Sequence, residues 1–263
     1  MSKNIKSAKF ALVPLATLLM FGCNYENGTG VAVVEEAVTE VTTPAETTTP
    51  VVTTPTTPTV TVTDDFESYT AGTLISDASQ NWLTANIKDN SDSLGTTTAE
   101  VSTTQSSGGV NSLYLADAHS GSKPFAYREF TAASASGSVS IDVFTPSTND
   151  KVTYINIGVG KNNSDRYFEL RLNGDDLEYE AGSTDIDLAE NGFTQDAWHT
   201  INIAWTSAGM VTVSLDGTAY TAIDQSTTGL TSTNIPTQFT VYTGDNGGIL
   251  NTAYFDNLDS DLF

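Results

Sequence analysis

The chain has 263 residues, and its 32 acidic residues against 10 basic ones give a net charge of −22 at neutral pH. Such an acidic surface repels phosphate groups, because nucleic-acid binding depends on lysines and arginines that displace counterions. The composition therefore excludes nucleic acid as a partner.

The first 22 residues have the layout of a secretory signal peptide. Three lysines precede an apolar run over residues 10–21, which contains Pro14. The run is shorter than the roughly 20 residues that a membrane-spanning helix needs. We therefore expect a cleaved signal at residues 1–22. Its removal leaves seven basic residues against 32 acidic ones, a net charge of about −25.

The segment Met20-Phe21-Gly22-Cys23 resembles the lipobox of bacterial lipoproteins, although Met20 stands where leucine is usual. The resemblance implies that Cys23 is lipidated and becomes the new N-terminus, so that the membrane contact is the lipid anchor alone. Asn24 follows the cysteine, which by the same resemblance favours the outer membrane, facing either the cell surface or the periplasm. Because Cys23 is the one cysteine in the chain, no internal disulfide is expected.

Residues 23–63 are predicted to form a disordered stalk. From Gly28 onward this segment consists almost entirely of Thr, Val, Pro, Glu and Ala, with Thr-Thr-Pro repeated four times and no aromatic residue to seed a core. Its prolines favour an extended backbone, so about 35 residues reach on the order of 100 Å. A stalk of that length would lift a domain clear of a membrane.

Residues 64–263 are predicted to form one all-β domain, an antiparallel β-sandwich of the jelly-roll kind. Aromatic residues begin here, and apolar and polar residues alternate with a period of two. Turn sequences such as Asp216-Gly217 separate the strands. Many short antiparallel strands with regular turns favour a jelly roll. The predicted strands are 138–143, 154–159, 167–172, 176–181, 198–206, 210–216, 238–243 and 252–258.

The domain resembles the concanavalin-A-like jelly rolls, which include laminin-G-like domains and lectins. Three segments carry the likeness: Asp64–Gly72, Trp198–Gly217 and Tyr254–Leu258. The resemblance implies the fold. It does not separate binding modules from hydrolases or lyases, because such scaffolds host all three.

The same resemblance implies a structural calcium. In related carbohydrate-binding jelly rolls a Phe-Glu near the start and an aromatic-Asp-Asn near the end share the ion, and the matching positions here are Glu67 and Asp256. Calcium takes six to eight oxygen ligands, so Asp65 and Asp117 are further candidates. The alternative left open is that these are solvated acids on edge strands.

Two polar and aromatic rows are predicted to face away from the core. Tyr167, Glu169 and Arg171 alternate with apolar residues on one strand, and Tyr154 and Asn156 do so on another. Tyrosine offers a flat apolar body with a hydroxyl, which suits a sugar ring, and arginine forks onto carboxylates. These five residues predict a polysaccharide-binding concave sheet, with an ordinary solvent-facing sheet as the alternative.

The segment Tyr167-Phe-Glu-Leu-Arg171 also resembles the Arg-x-Glu-Leu-Arg strand of jelly-roll alginate lyases, with Tyr167 in place of the first arginine. This resemblance implies β-elimination on a uronate-containing polymer. No counterpart of the lyases' Gln-Ile-His segment is present. A lyase would need Tyr167 or His119 as base, with Arg171 and Asn156 to neutralise the uronate.

Whether the protein is an enzyme is left open by the sequence, with a lyase favoured over a glycoside hydrolase. A hydrolase needs two carboxylates, and we interpret Asp176, Glu178 and Glu180 as a solvated edge. His199 is expected to be a buried, hydrogen-bonded residue, and Trp198 to be exposed. A structural or adhesive surface domain is the third candidate, and the protein is expected to be a monomer.

Overall fold

The computed structural model describes residues 63–86, 91–161, 165–182, 184–230, 235–244 and 249–263. The predicted signal peptide, Cys23 and all of the predicted stalk except Thr63 lie outside these residues. None of the helices in the described ranges has the length and apolar character to cross a membrane.

The described chain is built almost entirely of strands. One short helix, α1 (Ile75–Ala78), and a 3-10 turn at Gln225–Thr227 accompany them. The strands are β1 (Trp82–Asn86), β2 (Thr98–Ser102), β3 (Ser112–Asp117), β4 (Pro124–Glu129), β5 (Gly137–Phe144), β6 (Thr153–Gly158), β7 (Arg166–Asn173), β8 (Asp176–Ala181), β9 (Thr184–Ala189), β10 (Trp198–Trp205), β11 (Met210–Leu215), β12 (Thr218–Ala219), β13 (Ile223–Asp224), β14 (Gln238–Thr243) and β15 (Asn251–Asp259).

These strands form two antiparallel sheets. The seven-stranded sheet has the order β1-β4-β14-β6-β7-β8-β9, and the eight-stranded sheet has the order β12-β11-β10-β5-β15-β3-β2, with β13 paired to β11. A two-residue turn joins β11 to β12, and Asp216 and Gly217 both have the positive φ that this tight hairpin requires.

The main hydrophobic core lies between the two sheets. Ile155, Phe168 and Leu170 of the seven-stranded sheet belong to one buried cluster with Ile201 and Val213 of the eight-stranded sheet. Each of these residues alternates with a side chain on the opposite face of its strand. The predicted all-β antiparallel sandwich is therefore confirmed.

An isolated bridge joins Asp64, which precedes β1, to the last strand, β15, at one corner. Asp64 and Leu258 exchange both backbone hydrogen bonds, with N···O distances of 3.0 and 2.9 Å, and Thr63 Oγ1 donates to the Ser260 carbonyl. The Asp64 side chain is 5% exposed, and its carboxylate accepts hydrogen bonds from four donors. These are Phe66 N, Tyr69 Oη, Trp82 Nε1 and Arg128 Nη1, at 2.8–3.1 Å.

Candidate functional site

The outer face of the seven-stranded sheet, which points away from the eight-stranded sheet, gathers most of the predicted binding residues. Strand register places Tyr154 opposite Arg171, and Asn156 opposite Glu169. Tyr242 of β14 pairs with Tyr154 on its other side. A groove of about 200 Å³ opens here. It is lined by Lys123, Tyr154, Arg166, Glu169, Arg171, Glu180 and Tyr242.

Tyr167 does not lie on this outer face, which corrects the sequence-based assignment. It is 6% exposed and belongs to the main core cluster. The register of β6 with β7 shifts between Ile157 and Gly158, so that Gly158 pairs with Arg166. Such a bulge inserts one extra residue and reverses the alternation beyond it. Arg166 therefore occupies the outer position that the alternation assigned to Tyr167.

One half of the groove is aromatic. The rings of Tyr154 and Tyr242 stack with centroids 4.3 Å apart and planes 10° apart, and Phe125 contacts Tyr242. Tyr154 remains partly exposed, with Lys123 Nζ 5.3 Å and the Arg171 guanidinium 5.4 Å from its ring centroid, within cation–π range. Burial raises the pKa of Tyr154 to about 12, so its hydroxyl is neutral at physiological pH.

The other half of the groove is a ladder of ion pairs. Arg166 Nη1 lies 2.7 Å from Glu169 and 2.5 Å from Glu180. Arg171 lies 2.5 Å from Asp185, and 3.9 and 4.0 Å from Glu178 and Glu180. Glu178 and Glu180 of β8 are therefore not a solvated edge, because β9 forms the sheet edge and these two carboxylates pair with arginines. Asp176 instead accepts from the Asn191 N–H group.

Glu169 is the most buried member of this ladder, at 1% exposure. Its Oε1 accepts from Arg166, and its Oε2 accepts from the Tyr242 hydroxyl. Burial raises the pKa of Glu169, while Arg166 and Tyr242 oppose that rise. Both carboxylate oxygens are engaged, so Glu169 supports the groove from below and does not offer a free oxygen to a substrate.

Unpaired polar atoms concentrate on the same face. Asn156 Oδ1, Arg166 Nε, Arg171 Nε and Glu178 Oε2 are buried and have no hydrogen-bond partner among the described residues. An unpaired buried polar atom is costly, so native proteins usually satisfy it with solvent or a ligand. Two of these atoms are donors and two are acceptors. A hydroxyl group can both donate and accept, so it can bond to either kind.

The residues that a lyase would need are not brought together. His119 is exposed in the connection between β3 and β4 and is not among the residues lining the groove. Tyr167 lies in the core, while Arg171 and Asn156 lie on the outer face. Neither Tyr167 nor His119, the two bases proposed from the sequence, therefore accompanies the arginines in the described groove.

The second histidine, His199, lies in the eight-stranded sheet. Its Nδ1 is 2.8 Å from Asp216 and its Nε2 is 2.9 Å from the Thr194 carbonyl. Its ring packs against Phe193, and the neighbouring Trp198 is partly exposed. Because both ring nitrogens are engaged, we assign His199 a structural role.

The carboxylates proposed for calcium face backbone amides. Glu67 Oε1 accepts from the N–H groups of Val110 and Asn111, at 2.8 and 2.7 Å. Asp256 Oδ2 accepts from the N–H groups of Ser107 and Gly108. A calcium site needs convergent oxygens, whereas this loop presents hydrogen-bond donors.

The two further calcium candidates do not complete a site. Asp65 Oδ1 accepts from Glu67 N, and Asp117 pairs with Asn251, five residues along β15 from Asp256. Within the described ranges, no cluster of three metal-ligating side chains occurs. The hydrogen bonding therefore fits calcium poorly, and calcium binding stays a prediction of the sequence.

We expect chelation with EDTA to leave the melting temperature unchanged, because the Glu67 and Asp256 oxygens already bind amides. Glu67→Gln should lower it by roughly 2–5 °C, since the charge-assisted bonds to two amides weaken. Differential scanning calorimetry checks both effects, with exposed Glu190→Gln as the matched control. A melting temperature that falls with EDTA and recovers with added calcium in the wild type, but not in Glu67→Gln, would restore the calcium site.

Comparison with known proteins identifies the fold and leaves the family open. No family model and no curated protein matches the sequence. A sialidase structure has a TM-score of 0.51 and 15% identity over 69% of this chain, which spans 17% of the sialidase. A carbohydrate esterase from Shiga toxin-encoding bacteriophage phi24B has a TM-score of 0.51 and 15% identity, covering 71% of this chain and 93% of that one.

A family 7 alginate lyase with bound product has a TM-score of 0.50 and 12% identity, covering 69% of this chain and 94% of that one. Identities this low establish a shared architecture and nothing about chemistry. The chain has the jelly-roll sandwich fold.

Proposed function

We propose that this protein is a lipoprotein that binds polysaccharide on the outer face of its seven-stranded sheet. The observation that carries the proposal is the pairing of two features in one groove. Partly exposed Tyr154, stacked on Tyr242, offers an aromatic surface. Beside it lie unpaired donors and acceptors that suit sugar hydroxyls.

Binding without catalysis fits this groove better than a lyase or a hydrolase does. Glu169 has both oxygens engaged, and Arg166 and Arg171 are held by carboxylates. Glu180 is bound by the same guanidinium as Glu169. A glycosidase needs one carboxyl to protonate the leaving group and a second to act as nucleophile or base. Glu169 and Glu180 are both bound to Arg166, so neither is placed to take one of these roles.

The anchor and stalk complete the proposal. Lipidation of Cys23 would hold the chain at the outer membrane, and residues 24–63 would separate the sandwich from the lipid. The charge of the chain is consistent with a position outside the cytoplasm, where it would meet polysaccharide and not nucleic acid. Metabolic labelling with a radioactive or alkyne-tagged fatty acid tests this part. Label that persists in a Cys23→Ser variant would reject the anchor.

Affinity electrophoresis in gels containing a polysaccharide tests the binding. The wild-type chain should be retarded by at least one polysaccharide, and Tyr154→Ala should weaken that retention about tenfold, the loss of one ring contact worth roughly 1–1.5 kcal/mol. Tyr114→Ala is the matched control, because Tyr114 is a partly exposed tyrosine of the eight-stranded sheet.

Equal loss of retention in Tyr154→Ala and Tyr114→Ala would contradict the placement of the site. A rise in absorbance near 235 nm during incubation with alginate would instead establish lyase activity. Melting curves of both variants show whether each remains folded. Absence of retention on every polysaccharide would leave the structural or adhesive alternative.

A further inference from the structure

The positive charges of the groove are already matched by carboxylates of the same face. Arg166 and Arg171 are its two guanidinium groups, and four acids lie within 4.0 Å of them. These are Glu169, Glu178, Glu180 and Asp185. Glu169 and Glu180 line the groove itself, while Glu178 and Asp185 lie against Arg171 beside it, so both guanidinium groups already have carboxylate partners.

A polymer carrying carboxylates would meet these acids at close range. A uronate carboxylate that approaches Arg171 Nη1 competes with Asp185, which lies 2.5 Å from that atom. To reach Arg166, it must displace Glu180, which binds both Nη1 and Nη2. Like charges at such separations repel strongly where water is scarce. The net charge of −22 adds long-range repulsion of any polyanion.

Uncharged hydroxyl groups match what the groove leaves unpaired. The Nε–H groups of Arg166 and Arg171, together with Asn156 Oδ1 and Glu178 Oε2, are buried beneath this face without a hydrogen-bond partner among the described residues. A sugar hydroxyl both accepts and donates, and it brings no charge that competes with the ion pairs. A positively charged sugar is disfavoured at the aromatic half, because Lys123 and Arg171 both lie close to the Tyr154 ring.

We infer that the groove selects a neutral, hydroxyl-rich polysaccharide and rejects polyuronates. This inference rests on the proposed glycan-binding function, and it assigns Glu180 and Asp185 a selective role. They hold the guanidinium groups that would otherwise attract acidic sugars.

Affinity electrophoresis with three kinds of gel tests the selection. The neutral gels contain laminarin, mixed-linkage β-glucan, xylan or galactomannan; the acidic gels contain alginate or polygalacturonate; a third contains chitosan. We expect retention by a neutral polysaccharide at least tenfold stronger than by alginate, polygalacturonate or chitosan. Retention by an acidic polymer or chitosan equal to or stronger than that by the neutral ones overturns the inference and leaves the proposed function standing. No retention in any gel overturns the proposed function itself.

A charge variant tests the role of the ladder directly. Glu180→Gln removes the carboxylate that binds both nitrogens of Arg166 and should raise retention on alginate about threefold or more, while retention on the neutral polysaccharide changes less. Glu190→Gln makes the same change of charge at an exposed residue. Equal gains in the two variants would assign the effect to net charge and overturn the selective role of Glu180.

Discussion

Replacement of Asp64 by asparagine should lower the free energy of unfolding by about 3–5 kcal/mol, the cost typical of leaving one partner of a buried ion pair uncompensated. The Arg128 side chain is 10% exposed, and its guanidinium lies 3.1 Å from Asp64. An asparagine cannot accept from all four donors, because one of its two terminal atoms is itself a donor. The variant would leave a buried charge and at least one unpaired N–H or O–H group.

Urea denaturation monitored by tryptophan fluorescence measures this change, and Trp82 reports on it directly because its indole is a donor to Asp64. Asp65→Asn is the matched control, since Asp65 is exposed and accepts one bond from Glu67 N. We expect the control to differ from the wild type by less than about 1 kcal/mol. Similar stabilities of the two variants would show that the Asp64 carboxylate does not stabilise this corner of the sandwich.

Replacement of Arg166 by methionine should destabilise the protein by about 3–5 kcal/mol at pH 7, because it leaves the Glu169 carboxylate buried without its cation. The loss should be smaller near pH 5, where more of Glu169 is protonated. Removing the unpaired charge of Glu169 offers a second check. Glu169→Gln introduced into Arg166→Met should recover much of the stability, since an amide can still accept from Tyr242.

The pH dependence has a definite sign. Burial raises the pKa of Glu169 above that of an unfolded glutamate. Between the two pKa values the folded state binds more protons than the unfolded state, so the contribution of Glu169 to stability falls as the pH rises through that window. Arg166→Met should steepen the fall, because Arg166 lowers the pKa of Glu169.

Chemical denaturation from pH 4.5 to 8 measures the profile. Lys161→Met serves as the control, since Lys161 pairs with Asp92 at a solvent-exposed position and its loss should change the stability little. If the difference in unfolding free energy between wild type and Arg166→Met does not change with pH across this range, the role given to Glu169 is contradicted.

The strands with one apolar face could be predicted because their sequences alternate. β5, β10 and β11 are examples, and their observed bounds lie within one residue of the predicted ones. β4 was missed because it is buried on both faces. Phe125 and Tyr127 belong to the outer aromatic cluster while Ala126 lies in the main core, so no polar residue marks the period.

The groove could be predicted in part. Alternation on β6 and β7 places Tyr154, Asn156, Glu169 and Arg171 on one face, as the register shows. The bulge that buries Tyr167 depends on how β6 pairs with β7. This register cannot be predicted from the local sequence of either strand. Tyr242 carried a usable signal, since Phe239 and Val241 form the core face of β14 and leave Tyr242 outward.

The corner where the sandwich begins and ends also determines how it resists tension. A pull transmitted through the residues before Thr63 reaches the domain at Asp64, whose two backbone bonds join it to Leu258. Drag on a polymer in the proposed groove would load the seven-stranded sheet, which Asp64 contacts through Trp82 and Arg128. Under force, the backbone bonds between Asp64 and Leu258 should therefore break first. The bonds of Asp64 to Arg128 and Trp82 contribute to the force at which this happens.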